Sequence, residues 1–150
     1  MTEKIESEDR TEFFNSIINK DVENVNAYIQ YWLAETISFF DKHENYYHGF
    51  MAELLTGFDG YTVKSNRESG DGKFDVVLKS RIGKKYAIVF EFKISPDEDR
   101  MEEFADEAIK QIENKNYDAE LRSEKYKNII KYGISFCEKV CYVKLSQYSD

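Results

Sequence analysis

The chain has little of what punctuates or cross-links a protein: one Pro, seven Gly and two Cys in 150 residues. So few Pro and Gly exclude a low-complexity chain or a disordered linker. Two cysteines cannot supply a disulfide framework, and Cys137-x-x-x-Cys141 lacks the second ligand pair that a tetrahedral zinc site needs. They fit free thiols in a reducing compartment, so a cytoplasmic location is expected. No apolar run approaches the ~18 residues of a membrane span, and the acidic N-terminus does not resemble a secretion signal. No membrane partner is therefore expected. A nucleotide-binding Gly-Lys-Ser/Thr loop is absent too. Net positive charge is also missing: the total is −8, which by itself argues against a nucleic-acid binder.

What is present describes an ordinary soluble fold. Hydrophobic residues make up 41%, charged residues 33% and aromatics a high 15%, enough for one domain with a substantial core. Residues 1–10 are polar and acidic and are expected to form a disordered or edge tail, leaving 11–150 as a single domain. The charge is uneven. Residues 1–44 carry ten acids against four bases, and 97–107 carry seven acids against Arg100. From Lys64 to Lys85 there are seven bases against three acids, and from Arg122 to Lys144 six against two. A locally positive face can thus coexist with an acidic total, and the local field is what a ligand meets. Scattered lysines on solvated loops are the competing reading.

Periodicity gives the elements. Phe13, Phe14, Ile17 and Ile18 mark a short helix. From Asp21, the residues Val22, Val25, Ile29, Trp32, Leu33 and Phe40 recur at helical spacing to about Phe40. Asp41-Lys42-His43-Glu44 resembles a capping box opening a third helix, with Tyr47, Phe50, Met51 and Leu54 buried. Tyr61–Asn66 alternates like a strand, a glycine turn follows, and Lys73–Leu78 and Lys85–Phe92 read as two more strands. Ser95-Pro96-Asp97-Glu98 starts a helix, with Ser95 as cap and Pro96 at its first position, running to about Asn114. A short helical piece lies near Tyr117–Arg122, and Ile129–Cys137 and Val140–Leu145 close the chain as strands. A helix between strands of one sheet implies a mixed α/β sheet with a crossover.

Charge inside two apolar strands is the most informative pattern. Asp75 opens Val76-Val77-Leu78, and Glu91 and Lys93 interrupt Ile88-Val89-Phe90-Glu91-Phe92-Lys93. Unpaired buried charge is costly, so three such residues aimed at one spot need a reason. Side chains two apart on a strand share a face, which puts Glu91 and Lys93 together and Phe90 and Phe92 opposite. If the two strands pair, Asp75 reaches the same patch. Two carboxylates are hard oxygen ligands for Mg²⁺, and a lysine beside them would orient water or neutralise a phosphorus-centred transition state. Acid-x-Lys alone is weak, because Asp71-Gly-Lys73 and Glu113-Asn-Lys115 share the pattern, in a glycine turn and at a polar helix end. The competing reading is an edge strand whose Glu–Lys pair faces solvent.

Glu44 and His48 are four apart and lie on one helix face. They offer a further metal-side carboxylate and a phosphate-contacting histidine, or merely a helix-surface ion pair, with Glu53 as a fallback acid. Gln111 could bond a metal-bound water or a DNA backbone, or be a plain exposed glutamine.

The ordered set Glu44…Tyr47-His48, Glu68-Ser-Gly-Asp-Gly-Lys-Phe-Asp75, Phe90-Glu91-Phe-Lys93 and Gln111-Ile…Lys115-Asn-Tyr117 resembles the PD-(D/E)XK nuclease superfamily. More narrowly, it is similar to the nuclease-like domain at the C-terminus of bacterial AAA-ATPase-like proteins. The resemblance covers roughly Glu44 to Leu145. It implies a restriction-endonuclease-like central mixed sheet flanked by helices, with extra N-terminal helices, and a core at about 44–145. It implies Asp75, Glu91 and Glu44 as metal ligands, Lys93 as the catalytic lysine, Gln111 as a catalytic glutamine, and His48 and Tyr117 as substrate supports. The proline of the name is missing, since Phe74 precedes Asp75. The implied activity is Mg²⁺-dependent hydrolysis of phosphodiester bonds, of DNA first, with Mn²⁺ as a substitute metal. The implied partners are nucleic acid, an ATPase domain or chain, and a second copy, since members often dimerise. The alternative is a catalytically silent binding or regulatory module beside an AAA-type ATPase, acting on nucleic acid or protein. In that setting Phe13, Phe14 and Trp32 would be exposed at a docking joint.

Overall fold

A run of β-branched and aromatic residues from Tyr86 to Ile94 forms the strand on which the rest of the chain is organised. The computed structural model of the protein describes residues 9–36, 44–65, 75–83, 85–115 and 118–149. In chain order the helices α1 (Thr11–Ile18), α2 (Val22–Thr36) and α3 (Glu44–Leu54) come first. Then follow β1 (Tyr61–Ser65), β2 (Val76–Ser80) and β3 (Tyr86–Ile94). A 3₁₀ turn (Glu98–Arg100) leads into α4 (Met101–Lys115) and the short α5 (Asp118–Ser123), and β4 (Asn128–Cys137) and β5 (Val140–Leu145) complete the chain. The five strands lie in sequence order in one sheet. Only β3 and β4 run parallel, which is what the α4 crossover requires; the other neighbours are antiparallel.

Both faces of the sheet are covered, and β3 shows how. Ile88, Phe90 and Phe92 join Phe13, Ile17, Trp32, Tyr47 and Phe50 in the larger core beneath α1–α3. Ala87 and Val89 turn the other way and meet Ile112 of α4, Leu121 and Tyr126 in a smaller core. The larger core is rich in rings: Tyr47 stacks on Phe136 at 4.4 Å between centroids and Phe90 on Tyr132 at 5.6 Å. Phenol groups that enter it find acceptors, Tyr132 donating to the Ile17 carbonyl at 2.8 Å and Tyr47 to the Glu138 carbonyl at 2.9 Å. Phe13 and Trp32 are buried here and Phe14 is half-buried on the same cluster. The aromatics expected at a docking joint therefore cap the sheet instead.

On the opposite face α4 lies close to β4. A Cβ on Gly133 would stand 2.9 Å from the Ala105 carbonyl and from the Ile109 side chain, so glycine is what permits the approach. Ser135 Oγ donates to the Met101 carbonyl at 2.7 Å and fixes the other end of the contact. At the edge strand β5, α2 supplies acceptors to backbone amides. Asn26 Oδ1 takes the Val143 N–H at 2.8 Å and Gln30 Oε1 the Cys141 N–H at 3.2 Å.

Two local expectations change. Asp97, not Ser95, caps the turn before α4: its carboxylate accepts from Asp99 and Arg100, while Ser95 Oγ donates to the Asp97 carbonyl. An Asp directly before the first turn is the better acceptor, and Pro96 then lies outside the helical turn. Arg10, placed in the tail, donates to the Leu54 carbonyl at the end of α3. The end of the second helix beyond 36, the capping box at 41–43 and the glycine turn at 66–74 lie outside the described residues. No described helix is long and apolar enough to cross a membrane.

Candidate active site

The site forms where β2 begins beside the C-terminal half of β3. Val76 pairs with Phe90, so one step earlier Asp75 lies across from Glu91. Its Oδ2 accepts the Phe92 N–H at 2.8 Å, which fastens the carboxylate to the neighbouring backbone. Glu91 lies in the central strand with 2% of its surface exposed. The edge-strand reading therefore fails. Lys93 follows on the same face and is half-buried.

His48, 4% exposed on α3, reaches the site from the other core. Its Nδ1 is 3.9 Å from Asp75 Oδ1, its Nε2 shares a hydrogen bond with Ser65 Oγ, and its ring meets Phe92 edge-on. A buried ring between a hydroxyl and a carboxylate is not a helix-surface ion pair. On the opposite side, Lys115 at the end of α4 places Nζ 3.3 and 3.4 Å from the two Glu91 oxygens. Gln111, one turn earlier, lines a cleft of about 350 Å³ with Lys93, Lys110, Asn114, Lys115 and Glu107.

Electrostatics single out the two acids. Burial pushes Glu91 from 4.5 up to about 7, and Asp75 adds to the rise; Lys115 and Lys93 oppose it. Asp75 is also raised, chiefly by burial, against the pull of the Phe92 amide and the same two lysines. Neighbouring carboxylates that ionise with difficulty have much to gain from a cation between them. Their hard oxygen atoms suit a divalent ion of the Mg²⁺ type, so the residues present fit such a metal. Among the described residues, no group of three or more His, Cys, Asp or Glu gathers as a metal cage. Asp75 and Glu91 make a pair, and the side chain of Glu44, whose backbone opens α3, lies outside the described residues, as does Tyr117.

The structure thus brings together Asp75, Glu91 and Lys93, with His48 behind Asp75 and Gln111 beside Lys93. Glu53 lies near the end of α3, where its backbone carbonyl accepts from Arg10. Two participants escaped the sequence reading. Ser65 carried no signal beyond the end of a strand. Lys115 had one, its spacing of four from Gln111, which places both on one helix face. In the basic run at Arg122–Lys144, two lysines are engaged elsewhere: Lys131 is buried against Glu113 at 3.4 Å, and Lys144 is held by Asp106 at 2.5 Å and Glu102 at 3.3 Å. Lys110 and Lys115 of α4 and Lys93 of β3 supply the positive charge that lines the cleft.

No curated protein and no solved structure matches the chain. A family model, the PD-(D/E)XK nuclease superfamily, matches residues 42–145. That span holds all five strands, the α4 crossover and both site acids, and the mixed sheet flanked by helices is the architecture the superfamily implies. The chain belongs to the PD-(D/E)XK nuclease superfamily.

Proposed function

We propose that this protein is a divalent-metal-dependent nuclease that hydrolyses phosphodiester bonds of DNA, with Mg²⁺ as its metal and Mn²⁺ as a substitute. The observation that carries the reading is the meeting of Asp75 and Glu91 in a two-sided sheet, with Lys93 one residue pair along the same strand. Two adjacent carboxylates, Glu91 buried and Asp75 half-buried, both with raised pKa values, are poor elements of a purely structural core. Asp75, Glu91 and Glu44 would hold the metal, which when bound supplies an acidified water and charge stabilisation on phosphate oxygens. Lys93 orients the attacking water and offsets charge on the phosphate. The Phe92 amide fixes the rotation of the Asp75 carboxylate, and His48 backs its other oxygen. Gln111 and Tyr117 support the substrate.

Cleavage of linear and circular DNA in Mg²⁺ and Mn²⁺, by wild type beside Lys93→Ala and Asp75→Ala, tests this. Both variants should lose activity by about 10²-fold or more while keeping the wild-type circular dichroism and melting profile. One observation favours a second reading, a silent module partnering an AAA-type ATPase: in this structure Lys115 stands on Glu91 as a resident cation. Metal binding through Asp75 and Glu91 without cleavage of any substrate would select that reading. Absence of metal binding would remove the catalytic one.

A further inference from the structure

We infer that Lys115 is a substrate-binding residue of this site, moving from Glu91 to a nucleic-acid phosphate seated in the α4 cleft when a divalent cation occupies Asp75 and Glu91. The inference rests on the nuclease reading and adds to it a residue, a subsite and an order of events.

Three observations carry it. The Lys115 ammonium straddles the Glu91 oxygens at 3.3 and 3.4 Å, well beyond the roughly 2.7–2.9 Å of a tight charge-assisted bond. The pair is close enough to neutralise the carboxylate, and the space beside it rather than its length sets it apart from Lys131–Glu113 at 3.4 Å. Secondly, Lys115 also lines the cleft of about 350 Å³, so its side chain borders both the buried acid and an open space. Thirdly, the cleft is lined by donors in two adjoining helical stripes, Gln111 with Lys115 and Lys110 with Asn114, and Lys93 completes it from β3. Three ammonium groups and two carboxamides suit an anion with several acceptor oxygens, and Glu107 is the one acid among them. Carbonyls at the helix end repel an anion, so the attraction comes from these side chains.

Charge balance sets the order. A divalent ion on Asp75 and Glu91 takes up the negative charge that retains Lys115, and the freed ammonium turns to the cleft it already borders. Lys131 is the contrast: it is 1% exposed and held by Glu113.

Fluorescence anisotropy of a labelled DNA duplex, in EDTA and in Ca²⁺ (a hard cation with the same oxygen preference), tests the proposal. Wild type should bind more tightly in Ca²⁺. Lys115→Met should match wild type in EDTA, lose about tenfold in Ca²⁺, and lower the Ca²⁺ salt slope by about 1, the signature of one missing phosphate contact. Lys115→Arg should retain most of the Ca²⁺ gain. Lys110→Ala should weaken binding by an equal, smaller factor in both media. Should the methionine variant fail to fold, Lys115→Gln serves in its place. Equal weakening of Lys115→Met in EDTA and Ca²⁺, or wild-type binding in both, overturns the inference. Asp75→Asn separates the two readings. If it abolishes the Ca²⁺ gain while Lys115→Met keeps it, the metal site stands and Lys115 is excluded. If wild type shows no Ca²⁺ gain, the Lys115 inference falls, and the nuclease reading is decided separately by the Mg²⁺ and Mn²⁺ cleavage assay.

Discussion

Two of the ion pairs that join α4 to the sheet are mirror images in chemistry. At Lys131–Glu113 the strand supplies the cation and the helix the acid; at Glu91–Lys115 the strand supplies the acid and the helix the cation. The first is accompanied by satisfied neighbours: Ser146 Oγ donates to Glu113 at 2.9 Å, and the Lys131 amide is bonded by Ser149 Oγ. The second has another carboxylate beside it, a histidine behind that carboxylate, and a cleft in front. Buried ion pairs are weak evidence for stability, since desolvation offsets attraction. What distinguishes a working pair from a fastening pair is therefore its surroundings, and like charge held beside Glu91 is the feature the fastening pair lacks.

The largest expected effect comes from Glu91→Gln in the metal-free protein. Glu91 titrates near 7 when folded against an ordinary 4.5, so the folded chain holds the proton more tightly than the unfolded one. Its contribution is fully present below about pH 4.5 and is lost as pH rises through 7, a change on the order of 3 kcal/mol. Urea unfolding in EDTA from pH 5 to 8 should show that fall in wild type and a flatter profile in Glu91→Gln. An unchanged slope would place the titration elsewhere. Next, Glu113→Ala removes the carboxylate facing the buried Lys131 ammonium and should cost about 2 kcal/mol, reduced from a fully buried case because Glu113 is 28% exposed. DNA cleavage should survive it.

Gly133 lies opposite Glu91 in the β3–β4 register, under α4, so Gly133→Ala acts on both pairs. The added methyl should lift the helix and cost about 1–2 kcal/mol in chemical denaturation, with a measurable loss of metal affinity. Lys131→Met closes the series: it replaces the buried cation with an apolar chain of similar shape and should shift stability by less than about 1 kcal/mol. A large loss there would mean that the fastening pair is stronger than its geometry implies.

Much of this was readable from residues alone. Every strand was marked by β-branched and aromatic runs, and the acid and lysine inside β3 stood out because charge rarely enters such a run. The division of β3 between two cores followed from a period of two, with Phe90 and Phe92 leading to one side and Glu91 and Lys93 to the other. Lys115 shows where the reading stopped. Glu113-Asn-Lys115 looked like a polar helix end, because one-dimensional spacing carries no information on how closely a helix lies on a sheet. That closeness depends on Gly133, eighteen positions further along. The cap at Asp97 was misplaced for a smaller reason: Ser95 and Asp97 are both residue types that cap a turn, and only the backbone path decides between them.

The side-chain acceptors that Asn26 and Gln30 present to β5 have a consequence for how copies of this chain can associate. An open sheet edge is a template on which a second chain can crystallise strand by strand, the route to domain exchange and fibrils. With the Val143 and Cys141 amides already answered by α2, that template is spent from within the molecule. A second copy that approached β5 would find these two donors already taken by α2 and could not use them to extend the sheet.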